Sequence, residues 1–195
     1  MRQYHVGIAA EAFAAAVFAQ AGCDVLVQYG ANQPGYDLMI TRGGSHRKVS
    51  VKGSKDGGWG LVASYKNSDR TYHEAIDAWL VKHDDPEVIY CFVQFKRVQL
   101  SEMPRIYLAS PQEAARYMKK SRGGHGYTSL RENYTWASGL AGGSKDTIPA
   151  SWCFSADRLN EYLSPGEDTY HLLPADRSRD ASSVLSYRTL SSKKI

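Results

Sequence analysis

The sequence predicts an α/β fold from three observations. An alanine-rich helical segment comes first, short extended segments separated by Gly, Asn and Pro follow it, and a strand-to-helix step lies near residue 110. Residues 6–21 (VGIAAEAFAAAVFAQA) favour helix because alanine has the best intrinsic propensity, and Gly22 stands where a helix stops. The next four segments, 24–29, 36–42, 47–54 and 59–66, are rich in Val, Leu, Ile and Tyr and read as strands of a meander. Tyr72 to Asp77 reads as a helical turn or irregular connection. Residues 78–83 and 88–97 then read as strands around Asp84, Asp85 and Pro86. A strand at 105–109 runs into Ser110 as N-cap and Pro111 at the first helical position, predicting a helix over 111–120.

After residue 120 the pattern changes. Residues 121–149 carry six glycines among Tyr127, Tyr134 and Trp136 and read as a long irregular loop. Ser155 is placed to cap a helix ending at Leu163, and from Ala175 the chain is polar and serine-rich, a composition that predicts disorder. The expected organisation is a core over 1–120, an irregular C-terminal extension over 121–174 packed on it, and a disordered tail over 175–195. A chain of 195 residues with 43% hydrophobic content can bury one ordinary core, so one domain with additions is expected.

Charge and cysteine content narrow the function classes. The formal net charge is +4, and the last twenty residues hold Arg177, Arg179, Arg188, Lys193 and Lys194 against Asp176 and Asp180, which accounts for three of the four. The rest is nearly neutral, so contact with phosphates must come from a local patch. Cys23, Cys91 and Cys153 lie far apart with no CxxC spacing, which argues against a disulfide framework or zinc ribbon and for a reducing, cytoplasmic setting. No apolar run reaches membrane-spanning length, so no membrane association is expected. The six histidines form no HExxH or HxH pair, and neither GxGxxG nor GxxxxGK[ST] occurs. Serine and cysteine nucleophiles lack an identifiable partner.

Glu11 is the only formally charged side chain between Arg2 and Asp24, and at 100° per residue it shares a face with Ile8, Ala15 and Phe18. This carboxylate is therefore expected to be buried or partly buried, which would require a cation, a metal or a hydrogen-bond donor beside it. The alternatives are a structural salt bridge or an exposed helix edge. A second feature is Gly43-Gly44 between two strand-like runs, which suits a two-residue turn needing positive φ. Pairing Arg42 with Ser45 sets the register Ile40 to Arg47, Leu38 to Val49 and Asp37 to Ser50. Leu38, Ile40, Val49 and Val51 then define an apolar side, with Asp37, Ser50 and Lys52 on the other. That face is either a site or a solvent-facing strand surface with an ordinary ion pair.

A helix glutamate (Glu11), an aspartate at a strand start (Gly35-Tyr36-Asp37) and a strand carrying Ser50-Val51-Lys52 together resemble the PD-(D/E)xK nuclease superfamily. The pattern is most similar to Holliday-junction-resolvase-like and small endonuclease-like members. The likeness covers roughly residues 5–120, and the order and spacing of its short motifs carry more weight than any one of them. It implies a restriction-endonuclease-like core, a mixed central sheet flanked by helices, and metal-dependent hydrolysis of nucleic acid, with DNA as partner. Asp37 would hold Mg²⁺ or Mn²⁺, Glu11 would add a carboxylate or hold a metal-bound water, and the Val51 carbonyl is a further ligand. Lys52 would orient or deprotonate the attacking water, or stabilise charge on the phosphate. Ser50 departs from the pattern, because the family usually has an acid there and a serine hydroxyl is a weaker ligand. Metal affinity is expected to fall, which leaves a weak or inactive nuclease-fold module as the alternative to an endonuclease. A homodimer is one arrangement the resemblance allows.

Two basic segments complete the candidate nucleic-acid contacts. Lys55 and Trp59 follow Lys52 in a glycine-rich stretch that either meets a phosphate backbone and a base or is a hairpin turn returning Trp59 to the core. Lys119, Lys120, Arg122, His125 and Arg131 form the best local basic cluster, with a solvated helix end as the plain alternative.

Overall fold

The computed structural model describes residues 2–28 and 35–164. Helix α1 (Gln3–Gln20) buries Val6, Ala10, Ala14, Val17 and Phe18 along one stripe and ends in a Schellman turn. There Cys23 N–H donates to the Phe18 carbonyl and Gly22, at φ +80°, donates to Ala19. Strands β1 (Asp24–Val27), β2 (Leu38–Arg42) and β3 (Ser45–Ser54) form an antiparallel meander. Gly43 and Gly44 both take positive φ at the β2–β3 turn, and the register is as read from sequence: Arg42 opposite Ser45, Ile40 opposite Arg47, Leu38 opposite Val49.

The chain continues through β4 (Gly58–Gly60), a 3-10 turn at Ala63–Tyr65 and helix α2 (Tyr72–His83) to β5 (Val88–Gln94), which pairs parallel to β3. Strand β6 (Arg105–Ala109) lies antiparallel to β5, giving a mixed five-stranded sheet in the order β1-β2-β3-β5-β6. Helix α3 (Pro111–Lys120), capped by Ser110, follows β6 directly. Short strands β7 (Ser129–Arg131), β8 (Asn133–Thr135) and β9 (Lys145–Thr147) then precede helix α4 (Ala156–Leu163).

Alternate residues of the sheet feed two cores. Leu38, Ile40, Val49, Val51, Cys91 and Val93 pack with α1 and α4, while Tyr90, Phe92 and Tyr107 pack with α2 and α3. The fold is thus α/β with a mixed sheet flanked by helices. All seven residues of β5 are buried, as expected of a central strand covered on both faces.

Several elements differ from the sequence reading. Residues 78–83 are the second half of α2, because Thr71 and Glu74 form a capping box and Ala75, Ile76 and Trp79 follow at helical spacing. The apolar run AWLV resembles a strand only when taken without that cap. Segment 59–66 is a strand only to Gly60, and 121–149 is not wholly irregular, since it contributes β7, β8 and β9. The described residues, the extension through α4 included, belong to one compact unit. The expected tail, and 165–174 before it, lie outside the described residues. Among the described residues no helix is long and apolar enough to cross a membrane.

Candidate active site

The site forms where β2 stops and β3 continues. The last pairing between them on this side is Leu38 with Val49, after which Asp37 completes the edge with its own groups. Its N–H donates to the Val49 carbonyl at 2.9 Å, and its carboxylate Oδ2 accepts the Val51 N–H at 2.6 Å. The N–H and C=O of one strand residue point to the same side, so the Val51 carbonyl also faces the Asp37 edge.

One residue beyond Lys52, α1 sits directly on the strand. A Cβ added at Gly53 would lie 2.8 Å from the Val6 carbonyl oxygen and 2.9 Å from the Ala10 Cβ, so only glycine permits this approach. The contact brings the flank of α1 that carries Gly7 and Glu11, one turn apart, beside the end of β3. A cleft of about 410 Å³ opens there, lined by Gln3, Gly7, Val51, Lys52, Ser54 and Trp59 among others; of the expected site residues it takes in Lys52 and Val51, while Glu11 and Asp37 are not part of its lining.

Glu11 is exposed as a residue, as the helix-edge alternative has it. The buried stripe of α1 runs through Val6, Ala10 and Ala14, leaving Glu11 at its margin. Partial desolvation nevertheless raises its carboxyl above the ordinary glutamate range, Asp37 raises it further, and Lys52 opposes both. Asp37 and Lys52 thus both act electrostatically on Glu11. Among the described residues none of the three takes part in an ion pair.

The other expected members fall differently. Ser50 is only 5% exposed, so it is the least open of the four to a ligand. Its face of the sheet is not a polar surface, since β5 places Tyr90 beside Ser50 and Phe92 beside Lys52, under α2 and α3. Lys52 escapes burial because its chain is long enough to carry Nζ past the rings, 6.0 Å from the Tyr90 centroid. Trp59 is 3% exposed and its indole N–H donates to the Lys52 carbonyl at 2.7 Å, so it supports the site's backbone and cannot stack on a base. The loop before it is held by the Ser54 hydroxyl, which bonds the Asp56 carboxylate and accepts the Gly58 N–H, while Lys55 is exposed.

In the second basic segment, Lys119 is committed to an ion pair with Asp77, whereas Lys120 and His125 are exposed. Arg122 and Arg131 are laid on aromatic rings and are not part of a solvated helix end.

Sequence reasoning passed over His83 and Tyr65. The Tyr65 hydroxyl lies 3.2 Å from His83 Nε2, and His83 stacks on Trp79 at 5.2 Å. Burial lowers the His83 pKa, and the charges of Lys82 and Lys52 lower it further. The Thr71-x-x-Glu74 spacing was the signal that would have found it, by making 72–83 a helix.

Among the described residues no three His, Cys, Asp or Glu side chains gather as a metal-binding group. The oxygen groups at this edge are the Glu11 and Asp37 carboxylates and the Val51 carbonyl. No family model, no curated protein and no solved structure matches the chain.

Proposed function

We propose that the protein is a metal-dependent nuclease that hydrolyses DNA phosphodiester bonds on a restriction-endonuclease-like, PD-(D/E)xK core. The observation that supports this best is the Asp37 carboxylate fastened to the Val51 N–H at a strand edge, beside Lys52 and within electrostatic reach of Glu11. Asp37, Glu11 and the Val51 carbonyl would hold a divalent cation, which when bound supplies Lewis acidity and a more acidic water. Asp37 cannot swing away, because the Val51 N–H fixes one of its oxygens and leaves the other for the site. Glu11 would add the second negative charge that a divalent cation needs, or hold a water bound to it. Lys52, with no carboxylate ion-pair partner among the described residues, would present its positive charge to a phosphate oxygen as negative charge grows there.

A second reading, a nuclease-fold module that binds nucleic acid or a protein without cutting, is favoured by Ser50, which is buried and neutral where the resemblance calls for an acid.

Incubation of the purified protein with supercoiled, linear, single-stranded and branched DNA plus Mg²⁺ or Mn²⁺ tests the first reading. Cleavage is expected with at least one substrate, and Asp37→Ala and Lys52→Ala should each lower it by at least about 100-fold. Absence of cutting on all substrates, or full activity in both variants, overturns it. Calorimetric titration with Mn²⁺ separates the readings further, because the module reading expects no heat of binding.

A further inference from the structure

The segment after α3 builds a second surface whose chemistry the cleft does not explain. Arg122 lies over the rings of Tyr72 and Trp136, at 5.5 and 5.6 Å, and Arg131 over those of Tyr127 and Tyr134, at 5.5 and 5.2 Å. The rings also touch one another: Trp136 meets Tyr127 at 4.9 Å and Tyr134 at 4.8 Å, both edge to face.

This arrangement is built with some strain. Arg122 takes φ +59°, a region that L side chains rarely adopt, within a turn whose Gly126 packs so tightly that an added Cβ would lie 2.9 Å from His73. Asp146, the buried acid nearby, is used for positioning: it accepts the Arg122 backbone N–H at 3.1 Å and the Trp136 indole N–H at 2.9 Å. Neither guanidinium is paired with a carboxylate among the described residues. Two cations are thus held on aromatic faces with their charge unmatched, which calls for an anionic partner that also offers flat rings.

The surface is continuous with the cleft. Strand β7 pairs with β4 so that Arg131 lies opposite Gly58, a cleft residue, and a Cβ at Gly58 would meet the Arg131 guanidinium at 2.9 Å. A strand of nucleic acid leaving Lys52 would therefore meet Arg131 next, then the rings around Trp136, then Arg122.

We infer that this arginine–aromatic face grips single-stranded nucleic acid, its guanidinium groups taking phosphates and its rings taking unpaired bases. The selection for single strands follows from access, because the bases of a duplex are stacked inside and offer no face to a protein ring. The inference rests on the nuclease reading for the strand's course toward Lys52, and it makes the substrate class single-stranded or locally unpaired DNA.

Fluorescence anisotropy with a labelled oligothymidylate of about twenty nucleotides, and a duplex of equal length, tests it in EDTA so that no cutting enters. The single strand should bind more tightly than the duplex. Tyr134→Ala and Tyr134→Leu, at a residue 41% exposed, should each weaken single-strand binding on the order of tenfold while leaving the circular dichroism spectrum unchanged. Arg122→Gln should weaken it and reduce the slope of log affinity against log salt by roughly 0.7. Duplex binding as tight as single-strand binding, or unaltered affinity in all three variants, overturns the inference. Selective single-strand binding without cleavage under any condition would sink the nuclease reading alone, and cleavage without that selectivity would sink this one alone.

Discussion

Arg158 and Lys52 are both cations lodged against the central sheet, and their surroundings treat them in opposite ways. The Arg158 side chain is 7% exposed and every direction in which its guanidinium points is answered. It donates to the Leu108 carbonyl at 3.2 and 3.0 Å and to the Glu113 carboxylate at 2.6 Å, pairs with Glu161, and lies 4.8 Å from the Tyr162 ring centroid. Glu113 is likewise satisfied, by the Ser110 N–H and the Tyr162 hydroxyl as well as Arg158. Lys52 has an aromatic ring at 6.0 Å and an electrostatic coupling to the Glu11 carboxylate, but no ion pair among the described residues. A charge kept for architecture is neutralised internally, since leaving it unpaired costs several kcal/mol. A charge left unmatched at a cleft is available to something that arrives from solution.

The sharpest way to break that comparison is Arg158→Ala. It would strand Glu113 and the Leu108 carbonyl, and the expected loss is about 3–5 kcal/mol of unfolding free energy, read from denaturant midpoints. DNA cleavage measured well below the melting temperature should be unchanged. The clasp also has a pH signature. Burial pushes the Glu113 carboxyl up, but hydrogen bonds from Arg158, Ser110 and Tyr162 outweigh it and hold the group below its ordinary range. The native state then binds this proton less readily than the unfolded chain, so the contribution is present above the ordinary glutamate pKa of about 4.3 and is lost as pH falls through the depressed value. Arg158→Ala should flatten that acid-side loss. An unchanged acid profile would mean the clasp does not set Glu113.

Gly53→Ala is the next largest. The added methyl meets the Val6 carbonyl and Ala10 at under 3 Å, both on a helix that cannot yield locally. Overpacking of this kind costs roughly 1–3 kcal/mol. Because α1 must lift from β3, cleavage should fall as well, unlike the Arg158 case. Loss of stability with full activity would mean that the seating of α1 does not position Glu11.

How much of this was legible in the sequence follows the range of the interactions. The Gly43-Gly44 register, the Gly22 stop of α1 and the Ser110-Pro111 start of α3 are each decided within a few residues, and all were readable. The register placed Asp37 opposite Ser50, at the end of the β2–β3 pairing, but the bond from the Val51 N–H to its carboxylate was not readable from it. What failed depended on partners far along the chain. Lys119 is paired with Asp77, 42 positions away, and Trp59 is turned inward by the Lys52 carbonyl and by Phe92 and Tyr107. Arg122 and Arg131 look like ordinary surface cations until β7, β8 and the loop between α3 and β7 bring rings beneath them. How far Glu11 is buried was left open for a different reason. A helix this rich in alanine has no strongly apolar face, so which side is buried is set by where Gly53 lets it touch.

Glu11→Gln gives the smallest expected change in stability and separates the two regions most directly. The folded pKa of Glu11 lies above its unfolded value, so its ionised form is penalised in the native state. Its contribution to stability is complete below the ordinary glutamate range and is lost as pH rises through the raised value, leaving a net penalty at neutral pH. Glutamine keeps the shape and removes the charge. The variant should therefore be as stable as the parent or slightly more stable at pH 7, with the difference vanishing in acid, while DNA cleavage falls. A residue whose charge works against the fold and for the reaction belongs to the unpaired class with Lys52. If Glu11→Gln instead destabilised the protein at pH 7, Glu11 would belong with Glu113, as a group the architecture needs, and the site would lose its second carboxylate.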